Sequence, residues 1–337
     1  MSGMLKKWTG RNEFWVAATM LLVSAVIGGI SPAFWSLMNL CDLLRGATVT
    51  GLFALGALLV LVSGGIDVSF TAIAAVSFYA TSKLLVGMDY GGPMIWVLGL
   101  AVAIGALLGL VNALFIATAG LNPFIVTLGT QNLYRGFLLA FIGSNHISNL
   151  PDAMIAFSRW DLFRGTGEGG IVYGLPGAVL FLLAAALLVS WILNQTLIGR
   201  GIYALGSDPA AAERIGFDLA KIRYFTYILA GVLAGLTGII HCSLSRIANP
   251  FDLVGSELNI LAAVVLGGAR ISGGYGTVTG TLLGVGLLSI MTNSLILMGV
   301  PSYWQRVVAG LMILIGIGLP TLKRLLRTGA MGASSDV

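Results

Sequence analysis

Residues 46–86 read GATVTGLFALGALLVLVSGGIDVSFTAIAAVSFYATSKLLV, a long apolar stretch broken in its middle by Ser63-Gly64-Gly65-Ile66-Asp67. A helix rises about 1.5 Å per residue, so about 20 apolar residues cross the ~30 Å hydrocarbon core of a bilayer. The stretch therefore reads as two membrane segments, 46–63 and 67–86, joined at the Gly-Gly pair. Gly64 and Gly65 suit a tight turn. Asp67 then lies at membrane depth, where a carboxylate is costly unless it faces a cavity, a helix N-terminus or a cation. Capping of the following helix by Asp67 and Ser69 is one reading. Direct contact with a solute crossing the membrane is the other.

The same pattern continues on both sides. Apolar runs at 14–30, 93–119, 123–143, 171–194, 219–243, 257–269, 275–298 and 303–322 bring the expected number of segments to ten, with 257–269 too short to span alone. Only 9% of the 337 residues are charged and 57% are hydrophobic, against about 25% charged in soluble domains. The expected fold is an all-α polytopic transmembrane bundle. The net charge of +5 is spread between apolar runs rather than gathered in an aromatic-rich patch, which speaks for membrane topology and against nucleic acid. Cys41 and Cys242 are too few for a disulfide framework or a thiolate site. His146 and His241 stand apart from any ligand cluster, so neither a metal nor a cofactor is expected.

Basic residues set the expected orientation. With the N-terminus inside, Lys6, Lys7, Arg11, Arg200, Arg214, Lys221, Arg223, Arg270, Lys323, Arg324 and Arg327 fall on the inner side; Arg45, Lys83, Arg159, Arg164 and Arg246 fall on the outer side. That bias predicts both termini inside. Residues 1–327 form one expected domain, with an outer loop at 144–170, an inner segment at 195–218 and a small polar tail at 328–337 expected to be disordered. The break in 46–86 has a counterpart in 257–298, interrupted by Gly267-Gly268-Ala269-Arg270-Ile271-Ser272-Gly273-Gly274, and each is followed by a segment with one arginine, Arg135 or Arg306. Paired glycine-interrupted segments in two halves point to a translocation pathway; tight turning alone is the competing reading. The two arginines are expected near the outer end or in an aqueous cavity, paired with a loop carboxylate or snorkelling outward.

Three further motifs carry structure. Asp208 suits an N-cap, Pro209 the first helical position and Gly216 a stop, which makes Ala210, Ala211, Ala212, Glu213 and Arg214 a helix of about two turns. So short a helix needs external support. A docking helix for a cytoplasmic partner fits better than one lying on membrane lipid, because three alanines give little apolar anchorage. Asn122-Pro123 starts another helix, and Thr127, Thr130, Gln131 and Asn132 place hydrogen-bonding groups along it, for interhelical bonds or for a polar solute. Gly276, Gly280 and Gly284 are spaced for close packing, within the subunit or between subunits.

GRGIYALGSDPAAAERIGF (199–217), which includes Gly206, resembles the cytoplasmic coupling segment of the ribose-type permeases of ATP-binding-cassette importers. SGGIDVSF (63–70), NPFIVTLGT (122–130) and AAVVLGGARISGGYGTVTGTLLG (262–284) resemble further motifs of that family, in the same order. The resemblance implies a bacterial inner-membrane permease paired with a second permease subunit, the same chain or a paralogue. It also implies cytoplasmic ATP-binding subunits, a periplasmic solute-binding protein, and a monosaccharide, polyol or related sugar as substrate. The sequence has no GxxxxGK[ST], HExxH or GxSxG motif, so ATP hydrolysis is expected on a partner and an enzyme is not expected. An ion-coupled transporter would need more intramembrane acidic residues than Asp67. A permease for branched-chain amino acids or nucleosides fits the glycine-rich 267–284 motif but fits SGGIDVS less well.

Overall fold

The computed structural model describes residues 12–167 and 170–301, with residues 304, 307, 310 and 311 beyond them. Arg306, most of the run 303–322, the basic residues before Asn12 and the tail 328–337 lie outside the described residues.

Among the described residues the all-α polytopic architecture stands. Helices α1 (Asn12–Ile30), α2 (Leu37–Val62), α3 (Phe70–Gly87) and α4 (Met94–Ala113) come first, α4 continuing as a π-helix over Leu114–Thr118. Then follow α5 (Pro123–Phe137), extended by a π-helix over Leu138–Ile142, and the short α6 (Asp152–Ser158). After a β-hairpin come α7 (Val179–Gln195), α8 (Leu197–Ser207), α9 (Pro209–Arg214), α10 (Leu219–Ser245), α11 (Glu257–Leu266) and α12 (Val278–Leu297).

Among the described residues six helices are long and apolar enough to cross a membrane, seven if the bent pair α7–α8 counts as one span, against the ten apolar runs of the sequence. The run 303–322 falls mostly outside the described residues, and three physical causes account for the rest of the difference. The run 123–143 forms a continuous helix whose hydropathy is lowered by Thr127, Thr130, Gln131, Asn132 and Arg135. The run 257–269 is a ten-residue half-helix, as its length requires. The run 171–194 begins as a strand, and its helix starts only at Val179, after Pro176-Gly177.

That strand, β2 (Val172–Pro176), pairs antiparallel with β1 (Asp161–Thr166), and the Phe163 and Tyr173 rings lie 6.3 Å apart. Residues 144–170 are thus partly built rather than a plain loop. At the other end α7 and α8 meet at 75°. Thr196 makes the corner: its hydroxyl donates to the Ile192 carbonyl (2.7 Å) and accepts from the Gly199 N–H (3.0 Å), closing one helix and capping the next.

The core is organised around α2, which is buried on every side from Gly51 to Val62. An all-apolar helix belongs at the centre of a bundle, and α10, α12, α7 and α11 surround it. The most extensive helix contact is between α4 and α10. There Gly105 and Gly109 face Gly231 and Gly235. A Cβ on Gly105 would strike the Gly231 carbonyl oxygen, and one on Gly231 would lie 2.9 Å from the Gly109 Cα. Small residues at four-residue spacing let two backbones touch directly. Of the three glycines spaced by four, Gly280 and Gly284 of α12 work the same way within the subunit, receiving the backbone of Gly267 and Ala263 at the end of α11, whereas Gly276 precedes α12 and meets the side chains of Leu58, Val62 and Ala269.

Candidate translocation site and coupling segment

The break after α2 is built from local rules. Ser63 donates its hydroxyl to the Val60 carbonyl, Gly64 turns the chain at φ +83°, and the Gly65 N–H returns to the Val60 carbonyl. The backbone then runs without regular structure to α3. Asp67 is almost fully buried, and its Oδ1 accepts from both the backbone N–H and the hydroxyl of Ser69, each at 2.7 Å. Capping by Asp67 and Ser69 together does not occur: Ser69 makes no side-chain bond to α3. Its oxygen is occupied, accepting from Asn112 of α4 at 2.8 Å while its proton goes to Asp67.

Asn122 caps α5 through the Phe124 N–H at 3.0 Å, ahead of Pro123. Thr127 ties that helix to the break, donating to the Ile66 carbonyl (3.1 Å) and accepting from the Val68 N–H (3.3 Å). Thr130 donates to the Thr127 carbonyl one turn back. Of the two readings for this polar face, interhelical bonding thus describes Thr127.

Gln131 belongs to a cluster that the sequence reading missed. Its amide donates to Oε1 of Glu257 at 2.6 Å; Arg135 approaches the same oxygen at 3.4 Å, and the Thr71 hydroxyl donates to Oε2 at 3.3 Å. Arg135 also donates to the Thr71 oxygen at 3.2 Å. Three elements, α3, α5 and α11, meet here. Ten residues of α11 span about 15 Å. The partner of Arg135 is a buried carboxylate in the first turn of a helix rather than a loop carboxylate. A usable signal existed: Glu257 and Arg135 are each the one charge of their apolar runs, and intramembrane charges pair with one another.

The second break uses Gly268, Gly273 and Gly274, all at positive φ, while Gly267 closes α11 against Gly280. The Gly274 N–H donates to the Val62 carbonyl at 2.9 Å, so the two glycine interruptions meet. Arg270 lies over the Tyr275 ring, 5.1 Å from its centre.

The segment 195–218 contains α8 and α9. Asp208 accepts from the Ala211 N–H at 3.0 Å, Pro209 takes the first turn, and Gly216 leaves the helix at φ +92°. Asp208, Pro209, Ala210, Glu213, Arg214 and Gly216 are exposed and Ala211 is half-buried, whereas Ala212 faces inward. Ile215, at 73% exposure, adds an apolar group that the two-turn reading left out. Gly206 is not on this surface; it is buried in the last turn of α8. One cleft of about 300 Å³ brings Ser63, Gly64, Gly65 and Pro123 together with Ser207 and Pro209. A second, of about 200 Å³, opens between α2, α12 and the start of α11, where the neutral polar side chains of Thr50, Ser256, Asn259, Ser289 and Thr292 share the lining with apolar ones such as Phe53 and Leu288.

Interrupted helices that meet inside an apolar bundle, with a buried ion pair between them and an exposed capped helix beyond, suit a multi-pass transport permease. The chain matches, over residues 39–317, the family model described as branched-chain amino acid transport system / permease component. It is 33% identical over 314 residues to the ribose import permease RbsC of Escherichia coli K12, covering 93% of this chain and 94% of that one. The Bacillus subtilis RbsC is 35% identical, covering 90% and 91%; the D-allose permease AlsC of E. coli K12 is 30% identical, covering 94% and 92%. The chain belongs to this family of ATP-binding-cassette importer permeases, and within it resembles the sugar permeases along nearly its whole length. It is a multi-pass inner-membrane transport subunit and not an enzyme. No solved structure is a significant match.

Proposed function

We propose that this chain moves a monosaccharide or closely related sugar into the cell by alternating access, as the permease subunit of an ATP-binding-cassette importer. The observation that carries the reading is the match to ribose, allose and galactose permeases over at least nine-tenths of the chain. The cleft lined by Thr50, Ser256, Asn259, Ser289 and Thr292 supports it, because sugar hydroxyls need neutral donors and acceptors and a pathway needs them weak. In this reading both termini are cytoplasmic. Cytoplasmic ATP-binding subunits dock on α9, a loaded periplasmic binding protein docks on 144–170 and 244–256, and a second permease subunit, identical or paralogous, completes the pathway. Membrane lipid surrounds the assembly.

Charge reversal at Glu213 and Arg214 together with Ala211→Trp tests the docking. The ATP-binding subunits should no longer co-purify and uptake should cease; unchanged assembly and uptake would remove α9 from the interface. The energy source is tested in vesicles: uptake should need ATP and the ATP-binding subunits. Uptake that persists without them and collapses with the ion gradient would instead identify a secondary transporter.

A further inference from the structure

Gly206 stands where three backbones cross. A Cβ added to it would fall on the Val62 carbonyl oxygen, with the Gly274 nitrogen 2.6 Å away and the Gly64 nitrogen 3.0 Å away. A Cβ on Gly273 would lie 2.7 Å from both the Gly206 oxygen and the Gly64 Cα. The Val62 carbonyl accepts from the Gly274 N–H at 2.9 Å, which clasps the two interruptions together across the junction. No side chain separates the three segments at this point. Gly206 is the last buried residue before Asp208, whose side chain caps α9. Only two residues of chain therefore separate the exposed helix from a backbone contact with both glycine interruptions.

Close-packed backbone has no slack, since main-chain atoms in contact cannot rotate out of the way as side chains can. We propose that Gly206 is the positioning residue of energy coupling: through it a displacement of α9 reaches the 63–67 and 267–274 breaks at once, as one body. This rests on α9 being the docking helix. It adds that the junction behind α9, rather than α9 alone, determines how much of the stroke is used. Gly206 touches no partner in this scheme, so its loss is felt in transport and not in docking.

The test uses the whole assembly, permease with its ATP-binding subunits and binding protein, reconstituted in lipid nanodiscs or vesicles. Gly206→Ala should leave the ATP-binding subunits bound and lower sugar moved per ATP hydrolysed by about tenfold or more, since the added methyl forces the three backbones apart. An unchanged ratio would overturn the proposal while leaving α9 docking intact; loss of co-purification in the α9 variants addresses docking separately. Gly56→Ala on α2, whose Cβ would lie 3.7 Å or more from its neighbours, serves as the control outside the junction and should keep the parent ratio; a fall as large as that of Gly206→Ala would overturn the proposal. Should Gly206→Ala fail to assemble, a distance measurement decides. Spin labels at Ala210→Cys and Ser272→Cys, both exposed, should keep a constant separation between ATP-bound and nucleotide-free states. A change beyond about 2 Å, the scale of a helix shift, would show that α9 moves independently of the break and would sink the idea.

Discussion

Replacing Arg135 and Glu257 singly and together isolates the worth of the buried pair. Their side chains are 24% and 11% exposed, and both stand among apolar helices. Stripping one partner from a buried pair costs about 3–5 kcal/mol when nothing else remains to hold the other charge. Here something does. After Arg135→Gln the Glu257 carboxylate still accepts from Gln131 at 2.6 Å and Thr71 at 3.3 Å, which reduces the expected cost to about 2–3 kcal/mol. After Glu257→Gln the guanidinium keeps the Thr71 oxygen and is a quarter exposed, so about 1–2 kcal/mol is expected. The double variant leaves no charge to strand and should fall short of the sum of the singles by about 1–3 kcal/mol. Thermal unfolding of the purified permease in lipid nanodiscs reads this as midpoints, at roughly 2 °C per kcal/mol for a chain of this size. Additivity of the two singles within about 0.5 kcal/mol would refute the pairing, whatever the size of either alone.

The α4–α10 contact gives a matched comparison: Gly105→Ala places a methyl on backbone and should destabilise by about 1–3 kcal/mol, whereas Gly129→Ala, with open space around it in α5, should be neutral or gain up to about 1 kcal/mol from helix propensity. Equal midpoints for the two would refute the backbone contact. Asp67→Asn keeps an acceptor for the Ser69 N–H and hydroxyl and should cost under about 1.5 kcal/mol, while Asp67→Ala strands both donors and should cost about 2–4 kcal/mol. Equal losses would mean that the charge itself, rather than the turn it closes, is what matters. In the 200 Å³ cleft, Asn259→Leu with Thr292→Val should slow uptake without changing sugar binding to the periplasmic protein, measured separately by calorimetry; unaltered uptake would place the pathway elsewhere.

The periodic and punctuating features were legible before the structure. Ser63-Gly64-Gly65 and 267–274 announced their breaks, and Asp208-Pro209 announced α9, because caps, prolines and paired glycines act through their own backbone. Features set by partners distant in sequence were not. Ser69 looks like a cap until Asn112, which cannot be placed from local pattern, takes its oxygen. The hairpin at 161–176 is hidden because Leu162, Phe163, Val172 and Tyr173 suit a strand and an apolar helix alike, and strand pairing is decided between segments. The meeting of Glu257 with Arg135 could be anticipated as a need for pairing, but Gln131 and Thr71 could not be assigned to it.

These distances divide the molecule into parts of unequal freedom. Around α4 and α10, helix backbones touch along Gly105, Gly109, Gly231 and Gly235, a contact that cannot shear without carbonyls colliding. Between the glycine junction and α5 the links are sparse: hydrogen bonds from Thr127 to Ile66 and Val68, and beyond them the long Arg135–Glu257 ion pair. The hydrogen bonds contribute about 1 kcal/mol each and the pair about 1–3 kcal/mol, within the range that a differential interaction with nucleotide-loaded partners can tip. A stroke applied at α9 therefore finds its least resistance where the junction meets α5 and its greatest along the α4–α10 seam. The glycines serve two opposite ends by one property: the lack of a side chain locks two helices along a whole face, and at the junction it lets three segments act as one.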